Sequence, residues 1–340
     1  SNYAITYVAN NFAITTRPIT LTAGNRTKVY GDVLTLGTSD FSLTSGSFAN
    51  SESATAVTLA STGGMAASTT QAVATYSGNI TASNATGTGG FLASNYNITY
   101  GSGSLDITPR TVTLTANKVY DGTRNLNAQQ LTIGNTVGLE QLTFTGAIIS
   151  SSNVTDTGKY ITALTLLNGN NNGLASNYQL PILNVDNAPV TILPLAITLV
   201  VPNLTKVYDG GTNYIPSNAD LANITTSGLL ANNETVTAAT ITFDNRHVGA
   251  GNKTVTLDLV SVSSANSNYS FTLVGNNTSS ITQLASATWV GSDGEDWSVA
   301  TKWAVTGNLS QTGVLPDEAN VALAITVSYT HLTLPTNREV

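Results

Sequence analysis

The side chains suited to catalysis are few in this sequence. A serine hydrolase would need His247, with Asp244 beside it and a serine as the nucleophile. The chain contains no Gly-x-Ser-x-Gly turn that would expose such a serine. The other histidine, His331, lies in a terminal stretch that fits no repeat. We therefore predict that His247 is a solvated loop residue and that the chain is not an enzyme.

Carboxylates offer two further kinds of chemistry. Glycoside hydrolysis needs two acids facing each other across a cleft, but the 19 Asp and Glu residues form no evident pair. Calcium takes oxygen ligands from loops, and Asp293, Glu295 and Asp296 cluster beside a glycine. Because this loop lacks the calcium-binding loop pattern with its terminal glutamate, we predict a solvated acidic turn. We predict no metal and no cofactor.

The composition argues against several classes of function. The 340 residues are 41% hydrophobic, enough for a buried core, but only 9% are charged, against about 25% in a typical soluble domain. The absence of cysteine excludes thiol catalysis, disulfides and cysteine-based zinc sites. The net charge of −7 argues against nucleic acid and anionic membranes as partners, because both require concentrated positive charge. No apolar stretch approaches the length of about 18 residues that a membrane helix needs, so we expect no membrane insertion.

A pentapeptide that occurs three times reveals an internal repeat. Lys-Val-Tyr-Gly-Asp at residues 28–32 returns as Lys-Val-Tyr-Asp-Gly at 118–122 and at 206–210, at intervals of roughly 90 residues. A second marker, Ser-Asn-Tyr, closes each copy and also stands at residues 1–3. Its four tyrosines are Tyr3, Tyr96, Tyr178 and Tyr269.

These markers divide the chain into modules, and we read it as part of a longer soluble protein. The predicted modules are the end of a truncated repeat at 1–17, repeat 1 at 18–109, repeat 2 at 110–194, repeat 3 at 195–283, and the start of a further β region with all three tryptophans at 284–326. Residues 327–340 fit no module and are predicted to be a non-native tail.

The apolar residues of the repeats alternate with a period of two. Ile19, Leu21 and Ala23 are separated by threonines, and the same spacing occurs at 112–116, at 255–259 and at 271–273. This pattern predicts strands with one buried and one solvated face, and hence a mainly β fold of small tandem modules. Residues 218–230 are the place where we expect a short helix, capped by Ser217 or Asn218.

The pentapeptide is predicted to end a strand and to enter a turn. Asp and Gly would take positions with positive φ, which Gly tolerates freely and Asp better than most residues. The tyrosine ring is expected to pack beneath its own turn. The repeated lysines raise the idea of Lys–Asn crosslinks, but we favour edge-strand lysines that discourage aggregation. The structural motif residues are Lys28, Lys118, Lys206, Tyr30, Tyr120, Tyr208, Asp121, Asp209, Gly122, Gly210, Tyr96, Tyr178 and Tyr269.

These motifs resemble a known pair of repeat families. Repeats 2 and 3 resemble YDG domains through Lys-Val-Tyr-Asp-Gly, the stretches at 156–159 and 245–249, and the closing Asn-Tyr. Repeat 1 resembles the Tyr-Gly-Asp variety, the MBG domain, but residues 55–90 show no equivalent of the Val-Gly stretch. Such domains occur in tandem in large bacterial surface and secreted proteins, notably filamentous-haemagglutinin-like adhesins exported by two-partner secretion. The resemblance implies β-grasp-like modules strung as an elongated stalk, and an outer-membrane secretion partner.

Three functions remain open from the sequence. The leading one is a spacer segment of a secreted adhesin at the bacterial cell surface, with host or neighbouring-cell glycans or proteins as partners. An array of carbohydrate-binding modules would need stacked exposed aromatic residues, but Tyr76, Tyr100 and Tyr214 do not repeat in register. The third is the accessory region of a secreted polysaccharide-active enzyme, which only flanking sequence would reveal.

Overall fold

The computed structural model of the chain describes residues 2–228, 230–292, 294–316 and 319–322. It is mainly β, as the alternating pattern predicts, and its strands form small sheets of two to five strands. Among the described residues, no helix combines the length and the apolar character needed to cross a membrane. The predicted tail at 327–340 lies outside the described residues.

Repeats 1 and 2 consist of short strands that follow one another along the chain. Repeat 1 contains β1 (Arg17–Ala23), β2 (Arg26–Val29), β3 (Phe41–Ser45), β4 (Ser53–Ser61), β5 (Ala74–Thr88), β6 (Tyr96–Gly101) and β7 (Gly103–Thr108). Repeat 2 contains β8 (Arg110–Thr111), β9 (Thr113–Val119), β10 (Leu131–Gly134), β11 (Leu142–Ile149), β12 (Ile161–Asn168), β13 (Tyr178–Gln179) and β14 (Val190–Leu193).

Repeat 3 and the tryptophan region complete the set. Repeat 3 contains β15 (Leu195–Val200), β16 (Thr205–Val207), β17 (Asn213–Tyr214), α1 (Asn218–Ala222), β18 (Thr225–Thr226), β19 (Val236–Phe243), β20 (Gly249–Val262), β21 (Tyr269–Val274) and β22 (Asn276–Thr282). The tryptophan region contains β23 (Ala287–Trp289), β24 (Trp303–Val305) and β25 (Asn308–Thr312). Helix α1 confirms the short helix, and Ser217 caps it by accepting a hydrogen bond from the Asp220 N–H.

Each repeat is built on the same pairings. Its first strand runs parallel to the strand that begins at the Asn-Tyr tyrosine, as in β1 with β6, β8 with β13, and β15 with β21. The strand carrying Lys-Val-Tyr pairs in parallel with the last strand, as in β2 with β7 and β16 with β22. A long antiparallel hairpin forms the middle: β4–β5, β11–β12 or β19–β20. Lys-Val-Tyr and Ser-Asn-Tyr, the two sequence markers of a repeat, are therefore part of the same folded module although they lie far apart in the sequence.

Most of the alternating residues are buried, but Phe271 and Leu273 are half-buried and Leu259 is exposed. Ile19, Leu21 and Ala23 are all at most 4% exposed, whereas Leu259 is 61% exposed, so its predicted burial is wrong. The ladder between β19 and β20 shifts register at this point, where Thr240 pairs with Leu259 and the next residue pairs with Leu257. A bulge adds one residue, so Val260 and not Leu259 returns to the core.

Residues 2–16 form no strand and are exposed throughout. The large apolar side chains of this segment, which is predicted to be the end of a truncated repeat, are exposed, and Tyr3, Tyr7 and Phe12 are each about nine-tenths exposed. A strand needs a partner for its backbone groups and a core for its apolar face, and no described segment supplies either here.

The chain divides into two compact units. The first consists of residues 1–116, 125–150 and 158–190, and the second of 117–124, 151–157 and 191–340. The division cuts through repeat 2, so each unit contains one point where consecutive repeats meet.

Candidate functional site

The tyrosine of each Lys-Val-Tyr string is buried at the end of its strand. Tyr30, Tyr120 and Tyr208 are each at most 4% exposed. The backbone N–H of each donates a hydrogen bond of 2.8–2.9 Å to a carbonyl at the end of its own repeat. These bonds fix the tyrosine at the point where the chain leaves one repeat for the next.

In the first unit, Tyr30 of repeat 1 reaches a glutamate of repeat 2. Its hydroxyl donates to Glu140 Oε1 at 2.6 Å, and the Tyr178 hydroxyl donates to Glu140 Oε2 at 2.5 Å. The two rings meet edge to face, with centroids 5.5 Å apart. The Tyr178 hydroxyl also accepts the Val137 N–H at 2.9 Å. One carboxylate therefore joins the tyrosines of two repeats.

The second unit repeats this arrangement with other residues. The hydroxyls of Tyr120 from repeat 2 and Tyr269 from repeat 3 each donate to Glu234 at 2.6 Å. The Tyr269 hydroxyl accepts the Ala231 N–H at 3.0 Å, and Ser264 gives Glu234 another donor. The tyrosine rings again meet edge to face, 5.4 Å apart. We call each such group of two tyrosines and a glutamate a junction cluster.

The asparagine of Ser-Asn-Tyr adds a second contact beside each cluster. Asn177 Oδ1 accepts the Val73 N–H at 3.1 Å, and Asn268 Oδ1 accepts the Val154 N–H at 2.9 Å. In both cases the donor belongs to the preceding repeat. Asn177 and Asn268 are 3% and 0% exposed, so these bonds are shielded from water, which strengthens them.

The tryptophan region offers repeat 3 the same kind of asparagine. Asn320 Oδ1 accepts the Val248 N–H at 2.9 Å, and Asn320 is 3% exposed. Trp303 is buried among the other two indoles and donates from Nε1 to the Trp297 carbonyl at 2.8 Å. Val248 and Asn320 therefore correspond to Val154 and Asn268.

The junction clusters shift the titration of their members. Burial, together with the hydrogen bond to Glu140, raises the pKa of Tyr30 above the ordinary range and that of Tyr178 to about 12. Burial and Glu234 likewise raise the pKa of Tyr120 and Tyr269. Burial alone would raise the pKa of Glu234, but the hydroxyl donors outweigh it and lower that pKa. Both clusters therefore favour neutral phenols, and the second also favours a charged Glu234 carboxylate.

Repeat 1 contains the same groups with one donor fewer. The Tyr96 hydroxyl donates to Glu52 Oε2 at 2.7 Å and accepts the Ala49 N–H at 2.9 Å. The edge-on neighbour of Tyr96 is Phe48 of the same repeat, with ring centroids 5.8 Å apart. Among the described residues, Tyr96 is the single side chain that donates to the Glu52 carboxylate.

The motif tyrosine Tyr120 makes contacts outside its own repeat that the sequence did not predict. Its ring meets Tyr269 of the following repeat edge to face, and its hydroxyl donates to Glu234. Gly122 does adopt a positive φ of 73°, and a Cβ there would approach Asn232 Cβ to 2.6 Å. The turn of repeat 1 differs: Gly31 directly follows Tyr30 and has a φ of 88°.

The repeated lysines are buried, although β2 and β16, which carry Lys28 and Lys206, are edge strands as expected. The Lys118 side chain is 1% exposed, and its Nζ lies 2.8 Å from Asp121 and 3.0 Å from the Thr123 carbonyl. Lys206 makes the same pair with Asp209 at 2.7 Å. Asp121 and Asp209 thus each neutralise a lysine. Neither aspartate adopts a positive φ, so that prediction is wrong for Asp and confirmed for Gly122 and Gly210.

Other candidate residues are held by local contacts. His247 is exposed, and its Nδ1 lies 3.5 Å from Asn320 Nδ2. Glu295 pairs with Lys302 at 2.6 Å, and Asp296 accepts the Ser298 N–H at 2.8 Å. Asp293 lies outside the described residues. In the described part of the chain, no group of three or more His, Cys, Asp or Glu residues is placed to hold a metal.

The tyrosines considered for carbohydrate binding also make internal hydrogen bonds. The Tyr76 hydroxyl donates to the Ala72 carbonyl at 3.0 Å, and the Tyr100 hydroxyl accepts the Ala85 N–H at 2.9 Å. The Tyr214 hydroxyl donates to Asp220 at 2.9 Å. Each of these three hydroxyls is therefore committed within its own repeat.

The glutamates are the residues that sequence reasoning missed. Glu52, Glu140 and Glu234 hold the Asn-Tyr tyrosines, yet their surroundings in the sequence share no motif. A signal existed: each of the three repeats contains one glutamate and no more. Val73 was missed as well, because residues 55–90 lack the Val-Gly pattern although Val73 does what Val154 does.

The shared construction agrees with the match to known families. The YDG domain profile matches residues 105–187 and 193–281. The chain belongs to the YDG domain family. Residues 19–106 match the MBG domain of the YGX type. Repeat 1 is therefore an MBG domain, and repeats 2 and 3, which follow it, are YDG domains. No curated protein matches the chain.

Proposed function

We propose that this tandem array of MBG and YDG domains is a spacer segment of a secreted bacterial surface adhesin. The observation that carries the proposal is the junction cluster, which occurs in both compact units with the same groups and nearly the same distances. The tyrosines that recur in each repeat and the glutamate hold consecutive repeats to each other. A segment whose repeated residues serve repeat-to-repeat contact is suited to setting the distance between its two ends.

The proposal assigns no catalysis to the chain. The groups with shifted pKa in the clusters are engaged with each other: phenols kept neutral and a carboxylate kept charged. General acid–base catalysis needs a group that titrates near the working pH and faces a substrate. We expect no hydrolysis of polysaccharide, ester or peptide substrates. Turnover that disappears in His247→Ala or Asp244→Ala would contradict this expectation.

Small-angle scattering on the full chain tests the spacer. A compact chain of 340 residues has a radius of gyration of about 20 Å, and a spacer must exceed this value clearly. A radius near 20 Å would reject the proposal. Binding of a glycan by the full chain at micromolar affinity would instead favour the carbohydrate-binding alternative.

A further inference from the structure

Repeat 1 carries a glutamate and an Asn-Tyr tyrosine, the two groups of a junction cluster that receive a tyrosine from the preceding repeat. Among the described residues, no tyrosine of another repeat donates to this glutamate. In repeats 2 and 3, the glutamate accepts two phenols, one from its own repeat and one from the repeat before it. In repeat 1, Glu52 accepts the Tyr96 phenol alone among the described residues. The other oxygen, Glu52 Oε1, has no side-chain donor among the described residues, whereas the Oε1 atoms of Glu140 and Glu234 receive Tyr30 and Tyr120.

The asparagine of the same side is the second, independent sign. Asn177, Asn268 and Asn320 are at most 3% exposed because each accepts a backbone N–H from the preceding module. Asn95, at the same place in repeat 1, is exposed. The acceptor that is covered three times is therefore uncovered here, next to Glu52 and Tyr96.

The segment in front of repeat 1 points to the kind of occupant. Residues 3–16 carry the pattern of the last two strands of repeat 1, since Tyr3, Ile5 and Tyr7 match Tyr-x-Ile-x-Tyr at 96–100. Phe12 and Ile14 likewise match the Leu-x-Ile of 105–107. In repeat 1 those two strands pair with β1 and with the Lys-Val-Tyr strand β2. Without such partners, the apolar side chains of 3–16 are 74–90% exposed.

From these observations we propose that Glu52, Tyr96 and Asn95 form a docking surface for a further repeat of the same type, which contributes a Lys-Val-Tyr tyrosine to Glu52. The last two strands of this occupant are residues 3–16. Its tyrosine donates to Glu52 Oε1, and a backbone N–H of its middle hairpin donates to Asn95 Oδ1. The proposal concerns docking alone and does not depend on the role of the array as a spacer.

The test restores the occupant in the full chain. A second copy of residues 18–93 is placed before residue 1, so that Ser-Asn-Tyr at 1–3 takes the place of Ser-Asn-Tyr at 94–96. Chymotrypsin first reports whether the new repeat forms. We expect rapid cleavage within residues 3–16 of the original chain, because exposed segments are the preferred sites of proteolysis, and protection of these residues in the extended chain.

Docking is then measured through Glu52. In the extended chain, Glu52→Gln should lower the melting temperature by about 6–12 °C, the shift expected when one charged hydrogen bond is lost in a domain of about 90 residues. The loss should shrink when the tyrosine of the added copy is also changed to Phe. In the original chain, Glu52→Gln should cost at most half as much. Glu140→Gln is the matched control and should cost the same in both chains.

Each other outcome contradicts the proposal. If residues 3–16 stay cleavable, they do not complete a repeat at this surface. If they are protected but Glu52→Gln costs the same in both chains, the added repeat folds without docking on Glu52, and Phe48 is then the natural neighbour of Tyr96. Scattering data that reject a spacer would leave both results untouched, so the two proposals fail separately.

Discussion

Removing the Tyr120 hydroxyl should loosen the contact between repeats 2 and 3 without disturbing either core. In Tyr120→Phe the ring still packs edge-on against Tyr269, and Glu234 keeps the hydroxyls of Tyr269 and Ser264. The change therefore removes one charge-assisted hydrogen bond, made at 2.6 Å. Such bonds contribute about 1.5–3 kcal/mol. We take the lower end, about 1.5 kcal/mol, because the site is only partly buried.

Amide hydrogen exchange at Val154 is the most direct assay. The Val154 N–H belongs to repeat 2 and donates to Asn268 of repeat 3, so it exchanges when this contact opens. A loss of about 1.5 kcal/mol corresponds to roughly tenfold faster exchange. Tyr214→Phe is the matched control, since it removes a phenol that donates to a carboxylate within repeat 3. It should leave the exchange of Val154 unchanged.

A double-mutant cycle with Glu234→Gln isolates the bond between the two side chains. If Tyr120 acts through Glu234, its change should cost clearly less when Glu234 is already Gln, with a coupling energy of at least about 0.5 kcal/mol. Strict additivity, or less than a twofold change at Val154 in Tyr120→Phe, would refute the junction cluster as the element that joins the repeats.

Three further predictions concern the turns, the tyrosines and the buried lysines. Gly210→Val should lower the free energy of unfolding by at least about 2 kcal/mol, because φ is +80° there; Gly211→Val, at a position without positive φ, should cost less than half of that in the same urea titration. The pKa of Tyr178 is raised from 10.0 to about 12, so the stability that the neutral phenol contributes is complete below pH 10 and is lost as the pH rises toward 12. Between pH 10 and 12, the urea midpoint of the original chain should therefore fall more steeply than that of Tyr178→Phe. Asp121→Ala should cost about 3 kcal/mol because it strands a buried ammonium group, whereas Lys118→Met should be close to neutral by thermal unfolding; equal losses in both variants would show that the ion pair is not the cause.

The sequence by itself predicted the class of fold and the repeats. Alternation of apolar residues with threonine identifies a strand from local sequence alone, because Cβ atoms alternate between the two faces of a strand whatever the strand pairs with. The glycines at 122 and 210 were found for the same reason, since positive φ is a property of one residue. The short helix at α1 was predicted from its cap, which lies within three residues of the residue that it caps.

Whether a given side chain is buried or exposed depended on how the strands pair, which the sequence alone did not reveal. Leu259 follows the alternation but is exposed, because a register shift against β19 adds a residue that no local pattern announces. The sequence favoured edge-strand lysines that discourage aggregation, yet the ammonium groups of Lys118 and Lys206 are buried, each beside an aspartate three residues later.

The function of the motif tyrosines was decided by tertiary structure alone. Tyr120 and Glu234 are separated by 114 residues, and their contact exists because the end of one repeat meets the beginning of the hairpin in the next. A repeated motif shows that a residue matters in every copy, but it does not show whether the residue serves its own copy or its neighbour. That choice depends on which surfaces meet in space, and the hydrogen bond of a phenol with a carboxylate is short-ranged and directional. The sequence therefore determined the modules, and only the folded chain determined what holds one module to the next.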